Sequence, residues 1–214
     1  MNNQIKAVIF DLDGVLIEAK DWHYEALNRA LRLFGFTISR YDHLVTFDGL
    51  PTVTKLNMLS QEKGLPIGLH DFINELKQKY TMELIYANCK PRFYHEYALS
   101  KLKSDGYSIG CASNSMRDSI NIMLEKSSLD IYMDVIFSAQ DVDNPKPAPD
   151  MYDQSIQKLG LKPKNYLIIE DNQNGIIAAK ASGGHLLIVD DVKEVNIKNI
   201  YNKINEINNQ KENK

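Results

Sequence analysis

The chain has 214 residues, and its 25 basic and 28 acidic side chains leave a net charge of -3. Nucleic-acid affinity comes mainly from clustered Lys and Arg, so this balance excludes nucleic acid from the expected partners. Apolar residues make up 43% and charged residues 25%, the profile of a folded chain and not of a disordered one.

The first apolar run, residues 5–10, leads into Asp11-Leu12-Asp13-Gly14-Val15. Residues 11–106 then intervene before the next such run, whereas a crossover needs only about 10–12 residues. This stretch reads as helical. Asp21 can cap a helix over residues 22–34, with Trp22, Ala26, Ala30, Leu31 and Phe34 on one side. A second helix, 52–63, ends at Gly64, and a third covers 72–86. Residues 18–87 are therefore expected to form a helical insert, with hinges near 17–18 and 87–91, in a core of residues 1–17 and 88–214.

Four more short, β-branched runs follow at 107–112, 135–138, 166–170 and 186–189. They mostly lack polar alternation, as expected for parallel strands covered on both faces. Helical patterns at 93–103, 149–160 and 174–182 accompany them, so an α/β sheet with right-handed crossovers is expected. The polar tail after Ile207 is expected to fray. No apolar run approaches the roughly 20 residues that span a bilayer. Residues 1–4 show no charged, apolar leader, and Cys89 and Cys111 form no pattern. A cytoplasmic monomer without membrane contact is the expectation.

Parallel sheets bind ligands beyond the carboxyl ends of their strands. Asp11 and Asp13 project there to one side, and Gly14 permits a sharp exit. Alone, the pair reads equally as a polar strand end or a helix N-cap. The second run ends Ser113-Asn114-Ser115 before a helix, a setting that suits phosphate, although a lone Ser113 is more often a cap. After the third, Lys146 stands between Pro145 and Pro147, restricted on both sides; its plain alternative is a solvated loop lysine. The fourth ends Glu170-Asp171-Asn172, with Gly175 beyond. Adjacent acids at a buried strand end are costly unless paired or metal-bound; helix capping is the alternative.

Together, Asp11-Leu12-Asp13-Gly14-Val15, Ser113, Lys146 and Glu170-Asp171, in this order and at strand ends, resemble the haloacid dehalogenase superfamily of phosphotransferases. The helical insert just after the first motif is similar to the β-phosphoglucomutase and phosphoglycolate phosphatase-like branch. The resemblance implies a three-layer Rossmann-like parallel-sheet core with an inserted α-helical cap. It also implies a Mg²⁺-dependent phosphatase acting on a small phosphorylated metabolite: a sugar, polyol or amino-alcohol phosphomonoester. Asp11 would attack phosphorus and form an aspartyl phosphate, with Asp13 as general acid and then base. Ser113 and the Asn114 amide would hold the transferring oxygens, and Lys146 would neutralise developing charge. The side chains of Asp11 and Asp171 and the Asp13 carbonyl would hold Mg²⁺, with Glu170 bound directly or through water.

In the insert, His23 matches a position where relatives place a His near the leaving group; a structural helix His is the alternative. Thr52 closes Asp48-Gly49-Leu50-Pro51-Thr52, which resembles the branch's substrate-probing loop. Related hexose phosphomutases carry an Arg just after this glycine, whereas Lys55 is the nearest cation here, a departure from the mutase pattern. Glu18 and Asp21 read as entrance acids or as solvated linker acids. Lys20 and Lys55 are amines without a matching phosphonatase motif. A phosphomutase, or a non-catalytic binding protein on the same fold, is the alternative reading.

Overall fold

The computed structural model describes residues 4–209. Among them, β1 (Ala7–Phe10), β2 (Ser108–Ser113), β3 (Val135–Ser138), β4 (Tyr166–Glu170) and β5 (His185–Ile188) form a parallel sheet in the order β3-β2-β1-β4-β5. β1 and β4 are buried at every position, which is why their sequences lack polar alternation. β5 is an edge strand and is only partly covered. Phe10 stands opposite Cys111 of β2 and Ile169 of β4. The chain fills one side of β1 with β2 and β3, then the other with β4 and β5. The strand order therefore reverses beside β1, where open α/β sheets bind ligands.

The chain falls into two compact units, Met1–Glu18 with Lys90–Lys214 and Ala19–Cys89. The second unit is helical: α1 (Lys20–Arg32), α2 (Arg40–Asp42), a π-helical turn at His43–Phe47, α3 (Thr52–Lys63) and α4 (His70–Asn88). Leu27, Leu31, Phe47, Leu56, Leu59 and Ile73 form its core. Asn28 is buried there, donating to Ile38 O at 3.1 Å and accepting from Ile38 N at 2.8 Å. Both ends of its amide are thus satisfied, which offsets the cost of burying them. Asp21 is not the helix cap expected of it. Ala19 is the N-cap of α1, and Asp21 falls in the first turn, where it pairs with Arg40.

In the sheet unit, α5 (Phe93–Ser104), α6 (Arg117–Lys126), α7 (Asp150–Lys158), α8 (Gln173–Ala181) and α9 (Ile197–Asn209) flank the strands. Met151, Tyr152 and Ile156 of α7 and Ala178 and Ala179 of α8 close onto Ala7, Ile9, Ala112, Tyr166 and Ile168. Val8, Phe10, Ile109 and Cys111, of opposite parity, are equally buried, so the other face is covered too. There α5 lies against β2 and α9, and α9 against β5. This is the three-layer α/β core expected from the sequence. Fraying does not begin at Ile207: α9 runs to Asn209, and Asn208 Oδ1 accepts from Ile5 N at 3.2 Å. The leader reading at residues 1–3 and the tail beyond 209 lie outside the described residues. No helix among the described residues is long and apolar enough to cross a membrane. Cys89 and Cys111 are both free and buried.

Candidate active site

The ends of β1, β2 and β4 are neighbours, so the sheet register brings their exit residues together. Asp11 still pairs with β4, its N–H donating to Ile169 O at 3.0 Å. Beyond it the chain reverses tightly. Gly14 adopts φ 94, a left-handed conformation that other residues rarely enter, and its N–H donates to Ile17 O at 2.7 Å.

Lys146 is no solvated loop lysine: it is 2% exposed, and its ammonium donates to Asp11 Oδ1 at 2.7 Å and Glu170 Oε1 at 2.6 Å. The Asn114 side chain fixes the lysine's backbone, accepting from Lys146 N at 3.0 Å and donating to Lys146 O at 2.9 Å. Ser113 does not cap the next helix, whose N-cap is Met116. Its hydroxyl accepts from Ser115 N at 3.1 Å and donates to Asp13 Oδ2 at 3.1 Å; Ser115 Oγ donates to the same oxygen at 2.7 Å.

Glu170 and Asp171 are not caps either, since Asn172 Oδ1 receives the Gly175 N–H at the start of α8. Glu170 is fully buried, and its Oε1 also accepts from the Tyr152 hydroxyl at 2.6 Å. Its carboxylate rests against Gly175, where an added β-carbon would lie 1.8 Å from Oε1. Asp11, Glu170 and Asp171 each offer an oxygen within 4.8 Å of the others. The Asp13 carboxylate is not part of that trio.

Burial pushes the Asp11 carboxyl well above its ordinary range, and the surrounding acids add to this against the pull of Lys146. For Lys146, burial pulls downward, but Asp11 and Glu170 outweigh it and hold the ammonium charged. Three clustered carboxylates face one lysine. Such a set of hard oxygen donors with excess negative charge fits a divalent cation of the Mg²⁺ type. Buried charges cost several kcal/mol each, and such expense concentrates at functional sites.

The sequence reading names Asp11, Asp13, Ser113, Asn114, Lys146, Glu170 and Asp171, and all of these belong to the sheet unit. His23 and Thr52 belong to the helical unit, where Lys77 Nζ lies 3.3 Å from His23 Nδ1 and Thr52 opens α3. Glu18 and Asp21 are ion-paired, with Arg92 at 2.7 Å and with Arg40 respectively. Sequence reasoning misses Tyr152, Ser115 and the steric role of Gly175. Only the hydroxyl in Ser113-Asn114-Ser115 and the glycine after Glu170-Asp171 signal the last two.

The haloacid dehalogenase-like hydrolase family matches residues 8–189, and the chain belongs to that family. It is 28% identical over 182 residues to the phosphorylated carbohydrates phosphatase of Thermotoga maritima, covering 84% of this chain and 82% of that protein. It is 25% identical over 186 residues to the pyrophosphatase PpaX of Bacillus cereus, covering 84% and 81%. Among solved structures, β-phosphoglucomutase from Clostridium difficile matches with a TM-score of 0.83 at 25% identity, over 95% of this chain and 98% of that one. CbbY from Rhodobacter sphaeroides, in complex with phosphate, shares the fold with a TM-score of 0.77 at 21% identity, over 86% of each chain. By family the chain is an enzyme of the haloacid dehalogenase-like hydrolase class.

Proposed function

We propose that the protein is a Mg²⁺-dependent phosphatase of small phosphomonoesters that works through an aspartyl phosphate on Asp11. The observation that carries this reading is the buried Asp11–Lys146–Glu170 network at the reversal point of the sheet. An Asp11 oxygen forms a bond to phosphorus while the bond from phosphorus to the leaving oxygen breaks. Asp13 gives that oxygen its proton, then takes one from the water that attacks phosphorus and releases Asp11. Ser113 and the Asn114 backbone N–H hold the non-bridging oxygens, and Lys146 offsets their charge. Asp11, Asp171 and the Asp13 carbonyl, with Glu170 directly or through water, would hold Mg²⁺, which when bound offsets repulsion between the acids and the phosphate dianion. Phosphatase names among the relatives support hydrolysis, and the carbohydrate phosphatase supports a sugar or polyol leaving group.

The likeness to β-phosphoglucomutase favours a second reading, phosphomutase chemistry. Against it stands the loop Leu50-Pro51-Thr52-Val53-Thr54, with Lys55 as the nearest cation. A panel of sugar, polyol and amino-alcohol phosphates, with pyrophosphate included, separates the two. After EDTA treatment, Mg²⁺ should restore release of inorganic phosphate, and Asp11→Asn should abolish it in a folded protein. Near-parental turnover by Asp11→Asn would remove the covalent mechanism. Isomer interconversion with little free phosphate would identify a mutase, and no metal-dependent chemistry a binding protein. We assign selectivity for the alcohol to the helical unit, at His23 and Thr52. Substitutions there should shift the kcat/KM ratio between the best substrate and p-nitrophenyl phosphate by about tenfold, roughly 1.4 kcal/mol. Equal losses on both substrates would refute that assignment.

A further inference from the structure

Tyr152 sits on an apolar helix face, yet its hydroxyl ends in the carboxylate network. It is fully buried between α7, α8 and the sheet. Its phenol donates to Glu170 Oε1 at 2.6 Å, the same oxygen that accepts from the Lys146 ammonium at 2.6 Å. The ammonium also lies 4.8 Å from the centre of the Tyr152 ring, within cation–π range. One side chain therefore touches both a buried carboxylate and the cation bound to it. Phenylalanine would satisfy the packing and the ring contact equally well, and only the hydroxyl reaches Glu170.

An ammonium has three N–H donors. Two of those on Lys146 go to Asp11 and Glu170, so the positions of those two oxygens fix the direction of the third. Glu170 Oε2 accepts from Asp171 N at 3.1 Å, but without the phenol Oε1 would keep only the ammonium as a donor among the described residues and would draw it away from Asp11. A second strong donor on the same oxygen takes up part of that charge and fixes the oxygen in space. We propose that Tyr152 is a positioning residue, which holds the Lys146 ammonium between Asp11 and Glu170 through its hydroxyl on Glu170 Oε1 and its ring face. The kinetic part rests on the phosphatase reading above; the ammonium geometry does not.

The test follows the Lys146 ammonium resonance in ¹⁵N-labelled protein, recognised by its loss in Lys146→Arg, in the parent, Tyr152→Phe and Tyr166→Phe. Tyr166 is the control: it is buried in the same layer, but its hydroxyl donates to Ser182 Oγ at 2.7 Å. Tyr152→Phe should speed exchange of the ammonium with water about fivefold or more, and Tyr166→Phe should leave it unchanged. On the hydrolysed substrate, Tyr152→Phe should lower kcat about tenfold with KM within about twofold. In a Lys146→Ala background the same substitution should cost less than about twofold, because the two residues act as one unit. A parent without a protected ammonium, or an unchanged resonance in folded Tyr152→Phe, overturns the proposal. So does a tenfold loss that persists without Lys146. If the parent releases no phosphate, the phosphatase reading fails and the resonance alone decides the role of Tyr152.

Discussion

Both units carry partly exposed ion pairs, but the sheet unit also holds fully buried ones. In the sheet unit, Lys146, Asp11 and Glu170 are 2%, 4% and 0% exposed and share one hydrogen-bonded network. In the helical unit, the pairs Arg29–Glu83, Arg40–Asp21 and Lys20–Asp48 are partly exposed and the core is apolar, although Lys55 and Lys77 are buried too, 8% and 9% exposed. Removing one member of a buried pair leaves an uncompensated charge, whereas an exposed pair is worth about 0–1 kcal/mol. The strand ends therefore tolerate little change, while the polar surface of the helical unit can vary at small cost.

Lys146→Ala breaks this contrast most sharply. Activity should fall roughly 10²-fold or more, as on removing a charge-stabilising donor. Stability should fall by about 3–5 kcal/mol, because Asp11 and Glu170 are left buried without their cation. Urea unfolding reads the second effect. A loss below about 1 kcal/mol would mean that the carboxyls become neutral and that the network is less costly than argued.

The next test sets one buried histidine from each unit side by side. Burial drags His95, whose Nε2–H donates to Val192 O at 2.9 Å, down to about 4. Burial, with Lys55 beside it, does the same to His43, also to about 4. The unfolded chain binds these protons near 6.5. Between pH 6.5 and 4 it therefore holds more protons than the folded chain, so stability falls as pH falls through that window and levels off below it. Each histidine should account for about 3 kcal/mol over the full window. Unfolding free energies measured from pH 7 to 4 check this. His95→Gln should flatten the slope, and an unaltered slope would mean that His95 is not buried neutral.

Much of this contrast was legible in the residues. The strands stand out because continuous apolar runs as short as Val8-Ile9-Phe10 have few uses other than a strand covered on both faces. The acids and Lys146 stood out because polar groups directly after such runs need a reason to be there. Tyr152 was illegible because at helical spacing it looks like any core aromatic; its hydroxyl acquires a partner only once α7 is laid beside β4. Asp21 misled because capping is a local rule, and Arg40 supplied a competing partner from a later helix. The π-helical turn at His43–Phe47 and the amphipathic α9 were not anticipated, the first because no simple periodicity marks it.

Two glycines, one in each unit, differ in the space around them. In Gly175→Ala the new β-carbon would sit 1.8 Å from Glu170 Oε1 and 2.0 Å from its carboxyl carbon. The carboxylate must then move, taking with it the oxygen that Lys146 and Tyr152 share. A stability loss of about 1–3 kcal/mol is expected, with activity down about tenfold. In the helical unit, an added β-carbon at Gly68 meets nothing within 4 Å, and its φ is not left-handed. Gly68→Ala should leave activity unchanged and raise stability by about 0.4–1 kcal/mol. Thermal melts and phosphate release on the two variants check both outcomes, and equal losses would show that the sheet unit is no more tightly specified than the helical one.

The smallest expected effect is the loss of an exposed ion pair. Arg40→Ala removes the partner of Asp21 and a guanidinium 5.2 Å from the Tyr24 ring. Both groups of the pair are substantially exposed, at 46% and 70% of their side chains. Water already solvates them well, and ordering two flexible side chains offsets most of the attraction. The expected loss is below about 1 kcal/mol, and added salt should shrink it further. Unfolding at low and high ionic strength reads both quantities. A loss above about 2 kcal/mol that survives high salt would mean that the helical unit also relies on charge to hold its fold, and the distinction between the two units would collapse.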